Sequence, residues 1–193
     1  VVERPASVLK ELIENSIDAG ATIITVEIKN GGISYMRITD NGCGISEEDV
    51  PLAFMRHATS KIANSDDLNS ISTLGFRGEA LAAISSVSRV KLLTKTADSD
   101  TGTLFEIEGG EQMEYSPTGC PNGTTIIISD LFYNTPARMK FLKKDVSEAN
   151  ACANVIDRIA LSHTEISFKF IRDGKQVLST NGDKNLRNAV YSI

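Results

Sequence analysis

Cysteine and histidine are scarce in this chain, and long apolar runs are missing. The three cysteines, Cys43, Cys120 and Cys152, are odd in number and never spaced C-x-x-C. That argues against a disulfide framework or a cysteine zinc site and leaves reduced thiols as the simplest reading. Two histidines, His57 and His163, are too few for a multi-histidine metal centre. No apolar stretch reaches the roughly 20 residues that a membrane helix needs, and there is no signal-peptide pattern. The phosphate-binding pattern G-x-x-x-x-G-K-[ST] is absent, so the chain is not a P-loop protein. G-x-G-x-x-G between a strand and a helix is also absent, which weakens a dinucleotide reading. There is no internal repeat and no low-complexity tract. A basic excess is lacking too: 20 Lys and Arg stand against 25 Asp and Glu, a formal net charge of −5. Bulk charge therefore does not mark a protein that coats nucleic acid, although a local basic patch stays open.

What is present suits one domain. The chain has 193 residues, 41% of them hydrophobic, enough for an ordinary core. It begins at Val1 and reads as a fragment. Pro5 opens a helix in which Val8, Leu9, Leu12, Ile13, Ser16 and Ile17 fall on one side at helical spacing. Glu11, Asn15 and Asp18 fall on the other side, and Gly20 ends the helix. Ile24, Val26 and Ile28 alternate with polar residues as a strand, Asn30-Gly31-Gly32 turns, and a second strand carries Met36 and Ile38 inward. Asp40 continues that alternation. Ser46 and Asp49 resemble a capping box before a short helix. The polar stretch from about Ala58 to Leu74 reads as a long loop of the kind that forms lids. A small-residue helix from Glu79 to Val87 is entered through Gly75 and Gly78. Strands are predicted over Val90–Thr94, Thr103–Glu108, Gln112–Tyr115 and Thr124–Ser129, and helices over Ala137–Leu142 and Ser147–Leu161. A hairpin turns at Asp173-Gly174 between Ile166–Ile171 and Gln176–Thr180, and Asn185–Ile193 begins a last helix. Elements in blocks, with hairpins, predict an α+β sandwich with a mixed, mostly antiparallel sheet.

Four runs make chemical sense together: Glu11-Leu-Ile-Glu-Asn15, Asp40-Asn-Gly-Cys-Gly44, Gly75-Phe-Arg-Gly-Glu79 and Gly123-Thr-Thr125. Glu11 and Asn15, four apart, point the same way from a helix. A carboxylate can deprotonate water, and an amide oxygen can ligate Mg²⁺. Taken alone, the pair is also what any solvated helix face offers. Asp40 should face inward, where a carboxylate needs a partner; an adenine amino group is a suitable donor. An ordinary Asp-Asn-Gly turn explains it equally. Gly42 and Gly44 would let a flat base approach the backbone. Gly75 to Glu79, leading into a helix, can cradle phosphate, with Arg77 adding charge-assisted bonds. Lys61, after Thr59 and Ser60, is a second phosphate candidate or a plain surface lysine. Arg138, Lys140, Lys143 and Lys144 surround Phe141 as either a solvated surface or a DNA-backbone contact.

The longer motifs resemble one family. Val1-Val-Glu-Arg-Pro-Ala-Ser7, Glu14-Asn-Ser-Ile-Asp-Ala-Gly20, Arg56-His-Ala-Thr-Ser-Lys61, Thr73-Leu-Gly-Phe-Arg-Gly-Glu-Ala-Leu81 and Phe132-Tyr-Asn-Thr-Pro-Ala-Arg138 are similar to the MutL family of DNA mismatch-repair proteins. That family shares its ATPase fold, the Bergerat type, with DNA gyrase B, a large heat-shock chaperone and the histidine kinases. The resemblance implies a two-layer α/β sandwich that binds ATP and Mg²⁺. Glu11 would be the general base and Asn15 the Mg²⁺ ligand. Asp40, Gly44, Ile45 and Thr125 would surround the adenine. Thr59, Ser60, Lys61 and the run Gly75, Phe76, Arg77, Gly78, Glu79, Ala80, Leu81 would form lid and phosphate loop, over residues 58–81. Residues 1–193 would then be one ATP-binding domain, with 182–193 starting a linker to a second domain. The implied role is an ATP-driven switch that dimerises with itself or a paralogue, contacts DNA and the mismatch-recognition protein MutS, and leads to strand incision by its own or a separate endonuclease. It would act in the cytoplasm at the nucleoid, or in a nucleus. A gyrase-like topoisomerase ATPase is the alternative, which the Gly75–Leu81 and Phe132–Arg138 runs argue against.

Overall fold

The computed structural model describes residues 2–55 and 79–193. Its elements are α1 (Pro5–Asp18), β1 (Ile23–Lys29), β2 (Tyr35–Asp40), α2 (Val50–Ala53), α3 (Ala80–Ser85), β3 (Arg89–Lys95), β4 (Gly102–Glu108), β5 (Glu111–Thr118), β6 (Gly123–Ser129), α4 (Pro136–Phe141), α5 (Asp145–Ser162), β7 (Ser167–Arg172), β8 (Lys175–Ser179) and α6 (Leu186–Ser192). The strands form one sheet in the order β5-β4-β3-β6-β2-β1-β7-β8. Neighbours are antiparallel except β1 with β7, which run parallel. This is the predicted α+β sandwich. The last hairpin turns through Asp173 and Gly174, both at positive φ, as a tight two-residue connection requires.

Register explains why helices cover one face only. Ile28, Met36, Ile128 and Val90 align across four strands, as do Val26, Ile38, Ile126 and Leu92. Cross-strand partners share a face, so these rows form one apolar surface, and all of its members are buried. Phe168 and Phe170 on β7 extend it and are fully buried. Each such side chain contributes about 1.5–3 kcal/mol. The other face carries cross-strand ion pairs, Arg37–Glu27 at 2.7 Å and Lys91–Glu106 at 2.8 Å, each contributing about 0–1 kcal/mol at the surface. Burial therefore decides which face meets the helices.

Two helices do most of the covering. α1 buries Val8, Leu9, Leu12, Ile13 and Ser16. Its apolar stripe packs on β2 and on α5, which answers with Ala149, Cys152, Ile156 and Ala160. Small residues on α5 let the two helices approach closely. The predicted capping box does not form: Ser46 Oγ donates to the Asp49 carboxylate at 2.8 Å and caps no backbone N–H. Asn185 does cap α6, accepting from the N–H groups of Arg187 and Asn188. Residues 182–193 thus carry a helix that contacts α5.

Gly123, where β6 begins, is the tightest point of the sheet. It has φ +108, and a Cβ there would lie 2.1 Å from the Asp40 carbonyl oxygen. Gly123→Ala should cost about 3 kcal/mol or more, whereas Gly119→Ala, whose Cβ meets nothing within 4 Å, should stay within about 0.5 kcal/mol. Urea unfolding of both variants checks this; equal midpoints would refute the close approach.

Candidate functional site

The site grows from the place where the end of α1 meets the ends of β2 and β6. Asp40 closes β2 in the buried phase of its alternation and is 9% exposed. Its Oδ2 accepts from Ser16 Oγ at 2.7 Å, and its Oδ1 accepts from Gly42 N at 2.9 Å and Thr124 N at 3.3 Å. Burial pushes the carboxyl above its ordinary value of 3.8, and these three donors oppose that shift. A carboxylate has about four acceptor positions. Among the described residues three donors meet it, two on Oδ1 and one on Oδ2.

The following residues stitch this corner together. Asn41 Oδ1 accepts from Thr22 N and Ile23 N, both at 2.9 Å, and Cys43 N donates to Ala19 O at 2.9 Å. The glycines serve the same purpose, and on the side where a Cβ would stand the space is taken by the chain itself. A Cβ on Gly42 would lie 2.8 Å from Ala19 Cβ, and one on Gly44 would lie 2.2 Å from Lys95 O. The chain's own backbone fills the space they leave. Ile45 N donates to Thr94 Oγ1 at 2.9 Å, and Thr94 Oγ1 lies 2.9 Å from Thr124 Oγ1.

One expectation is corrected by the register, that of Thr125. The register pairs Thr125 with Thr39 and Thr124 with Asp40. Thr125 therefore lies on the opposite sheet face, where its hydroxyl meets Thr39 Oγ1 at 3.1 Å. Thr124 is the threonine of β6 that belongs to the site. Ser16, Thr94 and Thr124 escaped the sequence reading. Ser16 carried a signal, as the one polar member of the apolar stripe of α1; Thr94 likewise continues the buried phase of Val90 and Leu92.

Glu11 and Asn15 lie together on α1, both half-buried, while Asp18 is exposed. The pair shares its helix face with Asp18 but is less exposed than that last residue of α1. Glu79 is exposed just before α3, and Leu81 is 3% exposed within the core. Any ligand contact at Leu81 falls to its backbone. Thr59, Ser60, Lys61, Gly75, Phe76, Arg77 and Gly78, with the expected lid, lie outside the described residues.

The basic cluster divides. Arg138 Nη1 donates to Val2 O at 3.0 Å, and its guanidinium lies 6.0 Å from the centre of the Phe132 ring. Its primary engagement is internal. Lys140, Lys143 and Lys144 are exposed around Phe141, which is 88% exposed. Among the described residues, no group of three or more His, Cys, Asp or Glu could hold a metal ion.

Known proteins share this arrangement. A family described as histidine kinase-, DNA gyrase B- and HSP90-like ATPase matches residues 3–116. The chain is 55% identical over its full length to the DNA mismatch repair protein MutL of Agathobacter rectalis, covering 30% of that protein. It is 52% identical to MutL of Caldanaerobacter subterraneus subsp. tengcongensis, again over its full length, covering 33% of it. It therefore spans about a third of the length of these relatives. Among solved structures, the Aquifex aeolicus MutL ATPase domain complexed with ADP superposes with a TM-score of 0.82 at 34% identity, over all of this chain and 69% of that one. With fold and sequence in agreement, the chain belongs to the MutL family of DNA mismatch-repair proteins, as its N-terminal ATPase domain.

Proposed function

We propose that this domain binds ATP through Asp40, hydrolyses it with Glu11 as general base, and serves as the ATP-driven dimerising switch of a mismatch-repair protein. One observation carries the nucleotide reading: a buried carboxylate, met by three donors among the described residues, beside the helix that bears Glu11 and Asn15. The amino group of adenine is a donor that suits it. Glu11 accepts the proton of the attacking water as its oxygen bonds to the γ-phosphorus and ADP leaves. Asn15 offers a half-buried amide oxygen but no carboxylate cage, a donor set that suits Mg²⁺, which keeps waters and takes phosphate oxygens. When bound, the ion would neutralise phosphate charge. By family likeness Gly44 and Ile45 line the adenine side, and Thr59, Ser60, Lys61 and Gly75 to Leu81 hold the phosphates.

The wider role rests on the relatives. ATP-dependent pairing with a second copy or a paralogue, communication with a MutS-type protein and action on DNA in a bacterial cytoplasm follow from likeness to bacterial MutL proteins. Among the described residues no helix is long and apolar enough to cross a membrane. Lys140, Lys143 and Lys144 are the exposed cations that would meet DNA phosphates. Reversing their charges should lower affinity for all sequences alike and flatten its salt dependence; an unchanged salt slope, measured by titration at several ionic strengths, would remove them from DNA contact.

Asp40→Asn should weaken ATP binding by about 1.5–3 kcal/mol without unfolding the chain. The amide can still accept from Gly42 N and Thr124 N and can donate to Ser16 Oγ. The raised Asp40 pKa also sets a pH dependence. The folded state holds this proton more tightly than the unfolded chain, so the contribution to stability is full below 3.8 and is lost as pH rises through the higher folded value. Asp40→Asn should remove that part of the slope. Calorimetry and urea unfolding across pH measure both effects, and equal ATP affinity in the two proteins would end the adenine assignment.

Glu11→Ala should separate turnover from binding. Hydrolysis should fall by about 10²–10⁴-fold while ATP affinity changes little, as read by steady-state phosphate release beside nucleotide titration. Wild-type hydrolysis by this variant would show that Glu11 is only part of a solvated helix face.

A further inference from the structure

The run Phe132-Tyr-Asn-Thr-Pro-Ala-Arg138 has no part in the nucleotide chemistry above, yet it is tightly constrained. Asp130 and Phe132 both have positive φ, at 51° and 67°. For a bulky residue such as phenylalanine this conformation costs about 1–3 kcal/mol and persists only where the surroundings hold it. They do so here. The Phe132 ring is fully buried, its N–H donates to Val87 O at 2.7 Å, and Leu131 N donates to Ile33 O at 2.9 Å. Asn134 Nδ2 donates to Ser86 O at 2.9 Å. Tyr133 is held from the side by Arg89, whose guanidinium lies 4.6 Å from the ring centre and which also binds Glu108 and Asp130.

The two ends of this loop touch different parts of the site. At one end, Phe132 and Asn134 bind the carbonyls of Val87 and Ser86, which would otherwise be unpaired where α3 ends. α3 is the helix that follows residue 79. At the other end, Arg138 holds the carbonyl of Val2, which is itself buried. Two residues later Arg4 leads into α1 and is tied to Glu148, which is fully buried, at 3.0 Å. Glu148 also accepts Lys143 N at 2.8 Å. The lead-in of α1 is thus clamped by Arg138 of α4 and Glu148 of α5, and α1 bears Glu11 and Asn15.

We infer that residues 130–138 form a rigid strut fixing the lead-in of α1 relative to the end of α3, with Asn134 and Arg138 as positioning residues for the ATPase site. The strut runs through two backbone-carbonyl contacts at the end of α3, a left-handed turn, the first turn of α4, and one guanidinium on Val2. Cutting either end should loosen the other. The inference rests on the ATPase reading only in naming what is positioned.

Amide exchange in the nucleotide-free chain tests it. Asn134→Ala should speed exchange of the segment 2–9 by about three- to tenfold, although Asn134 does not touch that segment. Arg138→Met, a change at an exposed side chain, should reciprocally speed exchange of 82–90. Lys140→Ala, on the same helix but outside the strut, should do neither, and exchange of β7 reports global unfolding. Far-end exchange unchanged in both variants overturns the strut, as does acceleration that only tracks β7. ADP affinity provides the functional readout: Asn134→Ala, Arg138→Met and the double variant should weaken it by a similar factor, whereas factors that multiply would show two independent structural defects. Coupled exchange in a chain that fails to bind ADP would uphold the strut and count against the nucleotide reading.

Discussion

A carboxylate taken out of water must be matched by donors, and the burial of Asp40 sets the terms for everything around it. Meeting that demand brings three separate pieces of chain to one point. Ser16 comes from the inner stripe of α1, Gly42 from the turn after β2, and Thr124 from the start of β6. Each donor requires its segment at hydrogen-bond distance, which is why the corner contains Gly42, Gly44 and Gly123, where any Cβ would strike backbone or side chain. A corner so fully determined suits the recognition role proposed for it. It also fixes the end of α1, so that Glu11 and Asn15 stand at a set distance from whatever Asp40 holds.

The local pattern of the sequence made much of this legible. Alternation through Met36 and Ile38 placed Asp40 inward, helical spacing separated the stripe of α1 from the face of Glu11 and Asn15, and Asp173-Gly174 announced its hairpin. What stayed hidden were features that depend on pairing between distant segments. No local pattern says that β3 lies beside β6 or that β1 runs parallel to β7. Thr124 and Thr125 are indistinguishable until register is known, because a shift of one residue moves a side chain to the other face. A glycine in a sequence does not say whether the space beside it is open, as at Gly119, or what fills it. At Gly44 it is the Lys95 carbonyl, where a ligand would suit the sequence equally. Ser46 and Asp49 have the spacing of a capping box, yet their side chains bond to each other.

The basic cluster teaches a similar lesson about charge. Four cations within a few residues read as one patch, but they have different neighbours once the chain folds. Arg138 is engaged with Val2 and Phe132, whereas Lys140, Lys143 and Lys144 face solvent. Arginine suits this exposed but anchored position because its planar fork can donate to a carbonyl while its face lies toward a ring. The lysines suit contact with a partner whose charge matters more than its shape.

The central claim is that Asp40 reads the amino group of adenine. The direct measurement is calorimetric titration of the chain with ATP and with inosine triphosphate, which has a carbonyl where ATP has that amino group. The account predicts ATP binding at least about tenfold tighter, since a hydrogen bond to a charged acceptor is replaced by two facing acceptors. Equal affinity for the two nucleotides would contradict it.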